Sequence, residues 1–366
     1  VQSGGIQIVL PSISRNGYDI GSKRTNKLKT MNVLSLFDGM SCGQQALERA
    51  GIKVDKYFAA EIKKHAIEVT QYNYPNTIQL GDVTKIKAED LPKIDLLIGG
   101  SPCQDFSQAN KERKGLEGQK SSLFFEYLRL LQECKPKYFL LENVRMDDYS
   151  YNTISHLLGT FPVDINSSLV SAQMRQRSYW TNIGPAEFDL FGMRYCAIPQ
   201  PKDKKIYLKD ILESGFSDRR KLMCLLESNS RPLATPSKMA KRYFEIGMAN
   251  LIFKDSETFL RVKEATKIGF VDIAENECVD MSYPTSKTRR GRAMKEKSNC
   301  LLRNNEYFVF QDDDIRYFTQ TELERLQTVK EGYTSILSRN KAACLLGDGW
   351  TVDVIVHILK YINLNQ

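Results

Sequence analysis

From Met31 onward, short strand-like runs alternate with amphipathic stretches of helical period. The runs NVLSLF (32–37), VDKYFAAE (54–61), TIQLGDV (77–83), IDLLIGG (94–100) and KYFLLENV (137–144) predict strands. Between them, GQQALERAG (43–51), KKHAIEVTQYNY (63–74) and SSLFFEYLRLLQEC (121–134) predict helices. The last carries apolar residues at 123, 124, 127, 128, 130 and 131, one stripe of a 3.6-residue repeat. Such alternation predicts an α/β fold, a parallel sheet with helices on both faces. The segment SSLVSAQMRQRSYWTNI (167–183) predicts two more strands flanking a polar turn.

The pattern changes beyond about residue 185. Alternation weakens, lysine and arginine rise, and prolines cluster at 185, 199, 201, 232 and 236. Between Lys287 and Arg303 stand seven basic residues and one acid, Glu296. A helix-rich end follows, with TQTELERLQTV (319–329) and then 338–362. Residues 1–30 are polar and basic, with Asp19 the sole acid, and read as a loosely ordered arm. The chain thus divides at 1–30, 31–185, 186–285 and 286–366.

Composition narrows the function classes. With 366 residues, 42% hydrophobic and 26% charged, the chain has the make-up of a soluble globular protein. A formal charge of +8 permits a nucleic-acid partner without requiring one. Apolar runs of only about six residues predict no membrane span, and Ile6–Pro11 lacks the form of a signal peptide. Eight cysteines without a C-x-x-C pair, and only three histidines, argue against zinc, a disulfide framework or a histidine-based triad. The chemistry must rest on other groups.

The first predicted strand ends in FDGMSCG (37–43), where glycines let a ligand approach the backbone and the N-terminus of the next helix. Glu61 follows about twenty residues later, where nucleoside-binding sheets hold ribose hydroxyls, and Asp82 could accept from an adenine amino group. The competing reading is a generic glycine turn with solvated acids. Cys103 stands at the exit of IDLLIGG, before a polar stretch bearing Lys111, Arg113 and Lys114 whose positive potential would favour a thiolate. A buried inert thiol is its alternative. Glu142, behind the apolar YFLL, is a candidate proton donor at the end of the adjacent strand. Arg175 and Arg177, two apart in an extended segment, share a side and suggest a clamp for an oxygen or phosphate, or else a basic strand face. A thiol, a carboxylic acid, two arginines and a nucleoside pocket are what methylation of a pyrimidine at C5 asks for. The thiol adds at C6, the acid supports the charge on the N3 side, and C5 becomes a carbon nucleophile.

These motifs, in order and with sensible gaps, resemble the cytosine-C5 DNA methyltransferases from Met31 to about Ile362. They are FDGMSCG, Glu61, GDV (81–83), GGSPCQDFS (99–107), ENV (142–144), QMRQR (173–177), the basic segment near 287–292 and GDGWTVDVI (347–355). Phage and bacterial enzymes and the catalytic domain of animal de novo methyltransferases are the most similar branches. The resemblance implies a Rossmann-like mixed sheet with helices on both faces and a smaller target-recognition domain. On that basis 31–185 binds the cofactor and carries the chemistry, 186–285 reads the target, and 286–366 returns to the catalytic domain. It further implies that Cys103 attacks C6, that Glu142 protonates N3, that Arg177 contacts O2 and that Arg175 supports the carboxylate or a phosphate. Phe37, Asp38, Gly39, Gly43, Glu61, Ile62, Asp82, Val83, Pro102, Asp348, Trp350 and Val352 would surround S-adenosyl-L-methionine, with no metal. Double-stranded DNA is the implied partner, its cytosine flipped out and loop 104–118 closing behind it. Lys202, Lys204, Lys205, Arg219, Arg220, Lys238, Lys241 and Arg242 are candidate DNA contacts. A bacterial or phage-encoded monomer acting in the cytoplasm, with a restriction enzyme as a possible counterpart, completes the expectation. Asp348 stands where many members carry asparagine. The same chemistry on transfer RNA, and a silent DNA-binding relic, are the alternatives.

Overall fold

The computed structural model describes residues 30–102, 122–217, 219–226 and 318–362, with the short segments 252–253, 261–263, 270–272, 278–280, 292–294 and 315–316. A seven-stranded sheet runs in the order β3-β2-β1-β4-β5-β8-β7. Its strands are β1 (Met31–Leu36), β2 (Val54–Ala60), β3 (Ile78–Gln79), β4 (Leu96–Gly99), β5 (Tyr138–Val144), β7 (Val163–Asn166) and β8 (Gln176–Thr181). A short β6 (Thr160–Phe161) pairs outside it with β10 (Arg194–Cys196), which also pairs with β9 (Ala186–Phe188). Strands β1 to β5 pair in parallel, whereas β8 is antiparallel to both neighbours, so the sheet is mixed. The chain winds outward from β1 in both directions, which opens a crevice above the carboxyl ends of β1 and β4.

Alternate residues of each central strand enter different cores, as the two-residue strand period demands. Val33, Ala59, Ile98 and Leu140 pack with α1 (Cys42–Arg49), α2 (Lys64–Asn73) and the C-terminal helices. Leu34, Phe58, Leu97 and Leu141 pack instead with α3 (Ser122–Cys134) and α4 (Asp148–Leu158). The C-terminal helices are α5 (Gln320–Leu326), α6 (Arg339–Asp348) and α7 (Val352–Leu359), and α7 lies against α1.

Two local expectations are corrected, and two features were not foreseen. Within 77–83 only Ile78–Gln79 is strand, because Gly81 turns the chain at φ 73° and Asp82 caps a 3-10 turn. Within 167–183 there is one strand rather than two. Its partner β7 precedes the segment, and Asn166 accepts from the Ser168 amide to start a 3-10 turn over Ser167–Leu169. Helix α4, not foreseen, is capped by Asp147, which accepts from the Ser150 amide at 2.9 Å, and closed by Gly159 at φ 67°. Finally, Arg339–Leu359 has the length and mean hydropathy (1.5) of a membrane span, although no such stretch was expected. It is 67% buried in the protein, and the helix breaks at Gly349–Thr351, so the stretch is core.

Candidate active site

The turn between β1 and α1 holds Phe37 (φ 56°), Gly39 (φ 59°) and Ser41 (φ 59°) in the left-handed region. For Phe37 and Ser41 this conformation costs about 1 kcal/mol each and persists only when neighbours over-determine it. Those neighbours are visible. The Asp38 amide donates to Ala60 O at 3.1 Å, and the Gly39 amide to Glu61 Oε2 at 2.8 Å. Glu61 Oε1 accepts from the Ile62 and Lys63 amides, each at 2.8 Å. Glu61 therefore ties together the turns that follow β1 and β2. The Asp38 carboxyl accepts from the Tyr57 hydroxyl at 2.7 Å and from Ser41. Burial pushes it up to about 6 in spite of the opposing hydrogen bonds from Ser35, Ser41 and Tyr57, and the nearby Glu61 charge adds to the rise. Asp82 is half-buried, and the bonds from the Thr84 amide and hydroxyl hold its carboxyl below the ordinary value.

These turns wall a cavity of about 300 Å³ at the carboxyl edge of the sheet. Phe37, Asp38 and Gly39 enter it from β1, Glu61, Ile62 and Lys63 from β2, and Asp82 and Val83 from beyond β3. Gly100, Ser101 and Pro102 enter from β4, Glu142 and Asn143 from β5, Arg175 and Arg177 from the start of β8, and Asp348 to Trp350 from the end of α6. Gly43 and Val352 do not line it. A Cβ on Gly43 would lie 2.5 Å from Ile98 Cδ1 and 2.8 Å from Tyr57 Oη, so this glycine seats α1 on the sheet. Val352 is fully buried in the core beneath the cavity wall.

Cys103 and loop 104–118 lie outside the described residues, but their point of attachment does not. Ser101 is buried, and Asn143 Nδ2 donates to its hydroxyl at 3.0 Å and its carbonyl at 3.3 Å, which fixes the exit of β4. Lys238, Lys241, Arg242 and most of 287–292 are likewise outside the description. Of the basic residues inside it, Lys204 pairs with Asp353 at 2.5 Å and Arg220 lies over the Tyr207 ring at 4.6 Å.

Glu142 is 8% exposed and held on both oxygens. Arg177 Nε meets Oε1 at 3.0 Å, and Trp350 Nε1 donates to Oε2 at 3.1 Å. A Cβ on Gly100 would fall 2.9 Å from Trp350 Nε1 and 3.0 Å from Glu142 Oε2, so only glycine leaves room for this contact. Arg175 has other partners. Its Nη1 donates to Leu225 O at 2.8 Å and Gly347 O at 3.1 Å, because a bridge between Gln173 and Leu222 draws the 222–225 segment alongside. The two arginines share the cavity, but in this arrangement Arg177, not Arg175, supports the carboxylate. Arg175→Ala would take the guanidinium donor from two carbonyls at a 5% exposed site, and we expect a loss of about 2–4 kcal/mol in urea unfolding. An unchanged midpoint would contradict that account.

Five carboxylates (Asp38, Glu61, Asp82, Glu142 and Asp348) face three cations (Lys63, Arg175 and Arg177) around the cavity. Apolar groups flank them, among them Ile62, 75% exposed. The lining thus suits a ligand with positive charge and a flat ring. At the rim, Lys63 Nζ meets Asp348 Oδ2 at 2.6 Å and joins the β2 wall to α6. Sequence reasoning had no signal for Lys63. The paired glycines before Ser101 were the available signal for the tight approach at Gly100. Among the described residues no group of His, Cys, Asp and Glu is placed to hold a metal ion.

Residues 31–162 match the family of the C-5 cytosine-specific DNA methylases. The match is thus to a cytosine-C5 methylase domain over about the first half of the described chain. It is 41% identical over 278 residues to the orphan methyltransferase M.SPRI of Bacillus phage SPR, covering 75% of this chain and 56% of that protein. It is 35% identical over 211 residues to the type II methyltransferase M.NgoBV of Neisseria gonorrhoeae, covering 52% of this chain and 48% of the relative. The chain therefore spans about half the length of these curated relatives. Among solved structures, the Entamoeba histolytica methyltransferase EhMeth superposes with a TM-score of 0.55 at 17% identity, over 91% of this chain and 98% of its own. A Spodoptera frugiperda DNMT2 variant gives 0.52 at 17% identity, over 92% and 100%. At that identity the likeness is one of fold: a Rossmann-like methyltransferase sheet. In the methylase domain the matched residues supply every wall of the cavity except those from β8 and α6.

Proposed function

We propose that this chain transfers a methyl group to C5 of a cytosine flipped out of double-stranded DNA. One observation carries the reading: an acid at the end of β5, held by Arg177 and Trp350, opens into the same cavity as the strand exit that leads to Cys103. S-adenosyl-L-methionine would supply the methyl group from its sulfonium. The acidic lining with exposed Ile62 and half-buried Phe37 fits that cation and its adenine ring. Phe37, Asp38, Ile62, Asp82 and Val83 would hold the nucleoside part.

The chain's own residues do the rest. The Cys103 thiolate forms a bond to C6, a proton carried by Glu142 passes to N3, and the displaced electron pair makes C5 nucleophilic. After methylation, loss of the C5 proton to water or hydroxide, departure of the thiolate and return of the N3 proton to Glu142 restore the aromatic ring and the starting protonation state. Glu142 is too buried to meet a base inside a duplex, so the cytosine must be everted, at a cost of a few kcal/mol offset by pocket contacts. Residues 186–285 would read the target sequence, with 1–30 as a basic arm. Relatives from a bacterium and a phage support action on DNA within such cells.

The test is transfer of labelled methyl to unmethylated bacterial DNA and, in parallel, to transfer RNA, with the labelled base identified after digestion. Label in 5-methylcytosine from DNA supports the reading, label confined to RNA replaces the substrate, and none in either rejects it.

Two consequences concern the donor site. Asp348→Asn removes a negative charge from the cavity rim beside Lys63, so the Kd for S-adenosylmethionine should rise roughly two- to fivefold, as befits an exposed pair. That for S-adenosylhomocysteine, which lacks the sulfonium charge, should move less, and high salt should close the gap. Equal shifts for both ligands in titration calorimetry would contradict this. Asp38, pushed up to about 6, is ionised above that pH and favours a cation. Donor affinity should therefore be level above pH 7 and weaken as pH falls through 6, a decline that Asp38→Asn abolishes.

A further inference from the structure

Trp350 is one of two tryptophans in the chain, and the other, Trp180, is fully buried with its indole N–H on Ser155 Oγ at 2.9 Å. Trp350 sits in the break between α6 and α7, and its neighbours fix the backbone there. The Val352 amide donates to Gln327 O at 3.0 Å, and the Thr351 hydroxyl to Gln327 Oε1 at 2.9 Å. Its ring lies between two glycines. A Cβ on Gly43 would be 3.7 Å from Cζ3, and one on Gly100 would be 2.9 Å from Nε1. The ring is thus seated on α1 and β4, and its N–H is aimed at Glu142 Oε2, 3.1 Å away.

We propose that Trp350 is a positioning residue for the reaction: its indole N–H, opposite Arg177, fixes the plane of the Glu142 carboxyl that meets the pyrimidine. The inference rests on the proposed function and adds a residue to it. An ion pair to one oxygen alone leaves the terminal torsion of a glutamate broad. A second donor on the other oxygen removes that freedom. Each carboxylate oxygen has two lone pairs, so both donors still leave one on each oxygen for the base. The donors come from opposite walls of the cavity, β8 and the α6–α7 loop, which makes the orientation a property of the folded site. An indole N–H in a largely closed site needs such a partner, and a charged one gives the stronger bond.

Trp350→Phe keeps the ring and deletes the donor. With unmethylated bacterial DNA as substrate, kcat should fall about tenfold, the worth of one hydrogen bond to a charged group. The KM for S-adenosylmethionine and the calorimetric Kd for S-adenosylhomocysteine should stay within about twofold, since one donor to another side chain is all that is lost. In a Glu142→Gln background the same substitution should cost less than about twofold more, because residues acting through one another are not additive. Gly100→Ala, which pushes a methyl into the same contact, should reproduce the kcat loss and covers the case of an unstable Trp350 variant. The inference is overturned if kcat stays within twofold of wild type in both variants, if donor affinity falls in step with kcat, or if the penalty persists undiminished without Glu142. Wild type in the same assay separates the two ideas: if it labels no cytosine, the proposed function has failed and the inference falls with it.

Discussion

Cys103→Ser is expected to lower methyl transfer by about four orders of magnitude or more while S-adenosylhomocysteine and DNA still bind within about threefold of wild type. The size follows from the step that is lost. A thiol near neutral pH supplies some thiolate, and positive neighbours increase the fraction. A serine hydroxyl at the same place stays protonated and has no base assigned to activate it, so addition to C6 fails. Four orders of magnitude correspond to about 5.5 kcal/mol of transition-state stabilisation, too much for a packing change of one atom. Binding should survive because Ser101 and Asn143 fix the exit of β4 without the sulfur. Rate and binding are measured on the same preparation, by labelled methyl transfer and by titration. Turnover above about one per cent of wild type would remove the covalent mechanism, because a hydroxyl cannot replace a thiolate in that role.

Much of this arrangement was legible in the sequence because it is local. The alternation of runs and stripes from Met31 to Val144 gives β1, β2, β4 and β5 and helices α1, α2 and α3 to within about two residues, the usual uncertainty of an element end. Phe37, Glu61, Asp82, Pro102, Glu142 and Trp350 were singled out, and all line one cavity. What could not be read is pairing across the chain. The sequence shows a carboxylate and two arginines but not which arginine reaches it. That choice falls to the register of β5 against β8 and to the Gln173–Leu222 bridge, which diverts Arg175. Lys63 and Asp348, 285 residues apart, have no local signal for their contact. Helix α4 was missed because polar residues such as Asp148, Ser150, Asn152 and Thr153 dilute its apolar stripe, and its cap is visible only once Asp147 is seen to bond Ser150. Gly43 and Val352 were placed at the cofactor on motif grounds, yet both serve packing, an outcome that no spacing rule distinguishes from lining.

Glu142→Gln separates the chemical role of the acid from its structural one. Glutamine preserves the length and can still accept from Trp350, but it delivers no proton to N3. The methyl-transfer rate should therefore drop by about 10²- to 10³-fold, the ordinary contribution of a positioned acid. The same change takes the carboxylate charge away from Arg177, whose Nη1 still donates to Gln176 O at 2.8 Å, at a site where the two side chains are only 11% and 10% exposed. An uncompensated charge there should cost about 3 kcal/mol in urea unfolding. Loss of activity could then be blamed on loss of structure, and a second substitution resolves the ambiguity. Glu142→Gln combined with Arg177→Gln removes both charges, so stability should return most of the way while activity stays low. If activity recovered along with stability, Glu142 would be a structural counter-ion for Arg177 and the proton would have to come from elsewhere. If neither recovered, the Arg177 guanidinium would hold more of the cavity together than its bond to Glu142 accounts for.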